Sequence, residues 1–208
     1  MVDIIDLVIH LDKYLGVLIA TFGPWSYLVL FLVIFCETGL VFLPFLPGDS
    51  LLFLAGTFAS SGALNVLELF VILSFAAILG DSVNYAFGKF VGEKVFLKKG
   101  LLKKEYLDKA KEFYEKHGGK AIILARFIPI IRSIAPFVAG VGKMDYPRFL
   151  GFNAIGGILW VGIFVFSGYF FGSIPIIQEN LTLFLFLVIV VSLSPVFFEV
   201  IKYKLKRC

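Results

Sequence analysis

Apolar runs dominate this chain, and glycine, proline and a few charges cut them into pieces of unequal length. Over residues 1–24 the polar positions Asp3, Asp6, His10, Asp12 and Lys13 recur among Ile, Leu and Val at helical spacing. That pattern predicts an amphipathic helix lying at a membrane interface, ended by Gly23-Pro24. The next run, residues 25–36, reaches Glu37 after twelve residues, short of the roughly 20 needed to span a bilayer. Pro44, Pro47 and Gly48 follow, then a second short apolar run from Ser50 to Ala59. Two half-length helices around a Pro-Gly break predict a re-entrant hairpin over 25–62; the alternative is one long span kinked at proline. Residues 66–92 read as a full transmembrane helix. Residues 121–142 repeat the hairpin pattern around Pro129 and Pro136. Residues 147–172 and 178–201 read as two further spans. The expected fold is all-α and multi-pass, a single membrane domain with two oppositely oriented re-entrant hairpins.

Composition strengthens this picture. The chain has 208 residues, 60% of them hydrophobic, with a mean hydropathy of +0.97; soluble domains run at roughly 45–50% apolar. Charge then sets topology. Residues 93–120 hold nine lysines and five acids, with Leu102, Tyr106, Ala110 and Phe113 along one helical face. Lysine excess beside spans places this amphipathic helix in the cytoplasm. Lys202, Lys204, Lys206 and Arg207 place the C-terminus there too. Two spans between those points make the crossings even, so the first hairpin enters from outside and the second from the cytoplasm. PFLPGDSLLFLAG (44–56) also lies over PIIRSIAPFVAG (129–140) with one gap, each ending in Phe-x-Ala-Gly. Opposite entry with weak similarity is the pattern of inverted repeats in secondary transporters, against a rival reading of chance likeness between apolar segments. The net charge of +4 requires no nucleic acid. Cys36 and Cys208 match no metal spacing, and no cofactor is expected.

The hairpins carry the chemistry. Ionic groups at bilayer depth are costly and normally mark function. Glu37 and Asp49 are candidate proton-coupling carboxyls; Asp49 equally suits an N-cap of the helix that follows. Arg126 and Arg132 flank Pro129, and the guanidinium fork fits a phosphate in two-point fashion. They are the candidate substrate-phosphate ligands, the alternative being that they merely neutralise the acids. Gly48, Asp81, Tyr85 and Pro129 are candidate supporting residues, with Asp81 available to partner an arginine. Gly80, Gly88 and Gly92 form a packing face. Asn153 and Trp160 read as packing.

The pattern Glu37-x-Gly39, Pro44-x-x-Pro47-Gly48-Asp49, Gly80-Asp81 with Tyr85-x-x-Gly88, and Arg126-Phe127-x-Pro129 with Arg132 resembles the DedA family of bacterial inner-membrane proteins, over roughly residues 25 to 200. The family shares a domain with eukaryotic lipid scramblases. The resemblance implies an inner-membrane location, return of undecaprenyl phosphate between leaflets, and dependence on the proton motive force. It also implies that Glu37, Asp49, Arg126 and Arg132 are the residues the activity needs. The leading expectation is therefore a proton-coupled flippase for a lipid phosphate, with bilayer lipids and protons as partners and small-residue faces that permit a homodimer. An uncoupled phospholipid scramblase and a proton or cation antiporter are alternatives. A lipid phosphatase is a further one, although His10 and His117 form no nucleophile–base constellation with the hairpins, so no enzyme activity is expected.

Overall fold

The computed structural model describes residues 11–40, 48–98 and 118–174, and all of its regular structure there is helical. Helix α1 covers Leu11–Phe22. A short 3-10 turn, Gly23–Trp25, joins it to α2, Ser26–Gly39. Gly23 adopts a φ of 50°, a left-handed conformation that glycine takes without a Cβ penalty, and the helix breaks there. Helix α3 is Gly48–Ser60, and α4 is the long helix Val66–Lys98. The six-residue α5, Lys120–Ala125, leads through residues 126–128 into α6, Pro129–Val141. Helix α7 is Tyr146–Phe171. The stretches 12–39, 66–90 and 146–171 are long and apolar enough to cross a membrane. Exposed Leu67, Val71 and Phe75 on α4 and Ile155, Leu159 and Ile163 on α7 give these helices apolar outer faces as well as apolar inner ones, which suits lipid. The interfacial placement expected for 1–24, most of the Lys-rich segment 93–120 and the last span, 178–201, fall on membrane placement or on residues outside those described.

Helices α4 and α7 form the antiparallel frame. Tyr85 of α4 stacks on Phe149 and lies beside Tyr146 of α7 at one end, and Phe70 meets Phe166 towards the other. Helix α2 runs antiparallel to α4. The Tyr27 hydroxyl accepts a hydrogen bond from the Asn65 N–H at 2.7 Å, and the backbone of Gly39 packs against Gly80. Helix α2 therefore starts level with one end of α4 and stops near its middle. Helix α3 begins at that middle level, beside Glu37, and runs back along α7 to Gly172. Helices α5 and α6 do the same from the opposite end. Gly119 lies against Phe152, Arg126 packs against Gly156 and Gly157, and α6 returns until the Tyr85 hydroxyl donates to the Met144 carbonyl.

The second half-helix of each pair is seated the same way. The Phe53 carbonyl of α3 rests on Gly168 of α7, and Gly56 rests on the Val165 carbonyl and the Tyr169 N–H. The Phe137 carbonyl of α6 rests on Gly88 of α4, and Gly140 rests on the Tyr85 carbonyl and the Lys89 N–H. Added Cβ atoms at Gly168 and Gly88 would both strike the carbonyl oxygen they face. Such backbone-to-backbone contact is what small residues permit between membrane helices. The receiving helices share the signal Gly88-x-Phe90-x-Gly92 and Gly168-x-Phe170-x-Gly172. Helices α3 and α6 each pack chiefly on the frame helix of the other half of the chain, and α2 and α5 on that of their own half. The result is two three-helix units, α2 with α4 and α6, and α3 with α5 and α7.

Candidate functional site

The two broken-helix pairs meet in the middle of the molecule, and the ionic residues meet with them. Glu37 ends one face of α2 that also buries Leu30 and Ile34, so burial of the apolar face carries the carboxyl inward. Its carboxylate lies against Gly48, where any Cβ would fall on it; only glycine fits there. That is the N-terminal end of α3, where partial positive charge favours an anion. Asp49 lies inside the first turn of α3.

Arg132, in the first turns of α6, closes on both acids. Its Nη2 donates to Glu37 Oε1 at 2.6 Å, and its Nη1 donates to Asp49 Oδ1 at 2.8 Å. The Trp160 indole N–H, from α7, donates to the same Asp49 oxygen at 2.9 Å. The Arg132 guanidinium lies 4.9 Å from the Trp160 ring centre, within cation–π range.

Arg126 follows the last turn of α5 and takes different partners. Its Nη2 donates to Asp81 Oδ2 and to Asn153 Oδ1, each at 2.5 Å, with the Ala77 carbonyl further off at 3.5 Å. Asn153 in turn donates through Nδ2 to the Ile78 carbonyl at 3.0 Å. Arg126 Nε and Nη1 are buried and have no hydrogen-bond partner among the described residues. Arg126, Arg132, Glu37 and Asp81 are 2%, 7%, 2% and 3% exposed, so each charge depends on these partners rather than on water.

The structure thus brings Glu37, Asp49, Arg126 and Arg132 to one level, and adds Asp81 as a direct partner of Arg126. Glu37 and Asp49 share Arg132 alone. Pro129 opens α6 at a position where its missing N–H costs nothing. Tyr85 lies one turn beyond Asp81 and bonds the loop after α6, so it braces that loop.

Three members were not expected from the sequence. Asn153 and Trp160 read as packing residues but hold Arg126 and Asp49. Asn84 was not singled out. Its side-chain NH2 donates to the Thr38 carbonyl at 3.2 Å and the Ser133 carbonyl at 2.8 Å, tying the end of α2 to the start of α6. The signal was available: a fully buried amide in an apolar span needs partners, and broken helices leave carbonyls to supply them. No group of His, Cys, Asp and Glu among the described residues could hold a metal ion.

The family model for the VTT domain matches residues 46–170, which contain Asp49, Asp81, both arginines and Trp160. Protein DedA of Escherichia coli strain K12 is 53% identical over 205 residues, covering 97% of this chain and 94% of that protein. This chain is a member of the DedA family. An uncharacterized membrane protein of Mycobacterium leprae is 42% identical over 78% of this chain and 74% of its own length. Inner membrane protein YqjA of Escherichia coli strain K12 is 38% identical over 72% of this chain and 69% of its own length. No solved structure matches. Family membership and three helical stretches of membrane-spanning length make the chain a membrane protein; the Mycobacterium leprae relative and YqjA are named as membrane proteins, and none of the three is named as an enzyme.

Proposed function

We propose that this protein is a lipid transporter of the bacterial inner membrane that moves undecaprenyl phosphate, or a similar lipid phosphate, between leaflets under proton coupling. In this reading α2–α3 and α5–α6 are re-entrant hairpins entering from opposite faces, with the Lys-rich segment and C-terminus in the cytoplasm. The observation that carries the proposal is the Arg132 fork closed on Glu37 and Asp49 where the two broken-helix pairs meet. A carboxylate pair on a guanidinium occupies the donor positions that a phosphate would take.

The chemistry follows from exchange of anions. An incoming headgroup takes the guanidinium donors, and each displaced carboxylate, left without its cation in a low-dielectric setting, takes up a proton. Charge balance agrees. The buried cluster holds three carboxyls, Glu37, Asp49 and Asp81, against two guanidiniums, Arg126 and Arg132; a bound phosphate of single charge makes four negative charges against two positive, and a proton on each displaced carboxylate, Glu37 and Asp49, restores neutrality. Reversal on the far side releases the lipid and the protons, and the hydrocarbon tail stays in the bilayer throughout.

The test is leaflet exchange of a labelled polyprenyl phosphate in proteoliposomes, with and without a pH gradient. The proposal expects exchange that responds to the gradient and is abolished by Arg132→Ala in protein that still inserts and folds. Exchange that ignores the gradient would replace coupling with scrambling. Full exchange by Arg132→Ala would remove the phosphate site.

A further inference from the structure

Arg126 and Arg132 hold their partners differently, and the difference bears on how a phosphate could enter. A guanidinium offers two faces that grip an anion with two hydrogen bonds, Nη1 with Nη2 and Nε with Nη2. Both pass through Nη2. In Arg126 that nitrogen is taken by Asp81 and Asn153, while Nε and Nη1 are buried without a partner among the described residues. The side chain presents half of each grip and withholds the nitrogen the two grips share. Asp81 belongs to the α2–α4–α6 unit and Arg126 to the α3–α5–α7 unit. Arg132 and Asp49 also belong to opposite units, so two ion pairs fasten one unit to the other.

We infer that Asp81 is a positioning residue for transport: it occupies Arg126 Nη2 in the absence of substrate, yields it to the phosphate headgroup, and by leaving unfastens one unit from the other. This rests on the lipid-phosphate reading above and adds a third working acid to it. Asp81 never touches the lipid. It acts through Arg126, as an internal competitor whose release couples binding to movement.

An acid with that role has a signature that a merely structural acid lacks. Removing its charge should tighten binding and slow transport together. The experiment titrates purified full-length protein with farnesyl monophosphate, with inorganic phosphate and farnesol as separate arms, and runs the proteoliposome exchange in parallel. Asp81→Asn is expected to bind farnesyl monophosphate about tenfold tighter than the wild type and to transport about tenfold more slowly. Inorganic phosphate should share the gain and farnesol should not. In an Arg126→Gln background Asp81→Asn should leave binding unchanged. Folded Asp81→Asn with equal or weaker binding, a gain seen for farnesol but not for inorganic phosphate, or wild-type exchange would overturn the role of Asp81 and leave the lipid-phosphate reading standing. A wild-type protein that neither binds the prenyl phosphate nor moves the polyprenyl phosphate would overturn both. Where Asp81→Asn does not fold alone, recovery in the presence of farnesyl monophosphate supports the inference. Recovery by Arg126→Gln and not by the phosphate reduces Asp81 to a counter-charge and overturns it.

Discussion

Helices α3 and α6 are seated alike and charged oppositely. In each, a phenylalanine carbonyl rests on a frame glycine, and a glycine three residues later rests on a frame carbonyl. Yet α3 opens with an acid, Asp49, and α6 carries Arg132 in its first turns. The frame repeats where backbone must approach backbone, because a Cβ there has nowhere to go. The chemistry diverges where the two half-helices meet, because like charges facing each other in a dry site would repel. Two half-helices seated alike thus bring an acid of one half of the chain against a base of the other, and the ion pairs across the middle join the two units.

The sharpest way to break that comparison is to remove one arginine at a time. Arg132→Ala leaves Glu37 and Asp49 both without their guanidinium, and the loss of one partner of a buried ion pair costs about 3–5 kcal/mol. Arg126→Ala strands one buried carboxylate, Asp81, rather than two and leaves Asn153 still bonded to Ile78, so a smaller loss, about 3 kcal/mol, is expected. Unfolding of the purified variants in mixed detergent reads both. The opposite order would mean that the Arg126 cluster is the main fastening of the two units.

The seating itself is tested by Gly168→Ala and Gly88→Ala. Each new methyl would strike a carbonyl oxygen, of Phe53 and Phe137 respectively, and each substitution should cost about 1–3 kcal/mol through overpacking. The sites share no neighbour, so the double variant should show the sum of the two losses in the same unfolding measurement. A large loss at one glycine and none at the other would make the two seatings alike in geometry only.

Much of this arrangement was legible in the residues, for physical reasons that also mark what was hidden. Glu37, Asp49, Arg126 and Arg132 stand out because charge in an apolar run has few uses besides function. The breaks at Gly48 and Pro129 stand out because they interrupt runs too short to span a bilayer. The pairing of Arg126 with Asp81 rather than with a hairpin acid was open, since sequence spacing says nothing about which of three carboxyls a guanidinium reaches. Trp160 and Asn153 were hidden because both side chains are ordinary in packed membrane helices; only the facing helix shows that their N–H groups end on Asp49 and on the Ile78 carbonyl. The Gly-x-Phe-x-Gly likeness between residues 88–92 and 168–172 was readable, but its meaning depends on Gly88 and Gly168 each receiving a half-helix from the other half of the chain.

Asn84 sharpens the comparison next. Its amide ties the carbonyl of Thr38 to that of Ser133, within the α2–α4–α6 unit. Asn84→Leu leaves both carbonyls without that donor, at about 1–3 kcal/mol. Phe164 stands at the corresponding place of α7 when Gly88 is laid over Gly168, so the other unit lacks this tie. Trypsin or thiol-reagent sensitivity near residues 38–40 and 126–133 should rise in the variant. Unchanged protection would show that the ion pairs alone fix the two broken helices.

The smallest expected effect isolates Trp160, whose ring is set against both arginines. Trp160→Phe keeps a ring face for the guanidiniums, which lie 5.8 Å and 4.9 Å from the ring centre. It deletes the N–H that Asp49 accepts, a neutral donor to a charged acceptor worth about 1.5–3 kcal/mol gross and less when Arg132 tightens in its place. Stability should therefore fall by about 1 kcal/mol or less. Transport should change in one direction. Asp49 would be held by Arg132 alone, so an incoming headgroup displaces it more easily and the exchange rate should rise. Trp160→Leu removes ring and donor together and should cost more. Equal behaviour of the two variants would show that the N–H, and not the ring, is what holds Asp49 in register with its partner from the opposite unit.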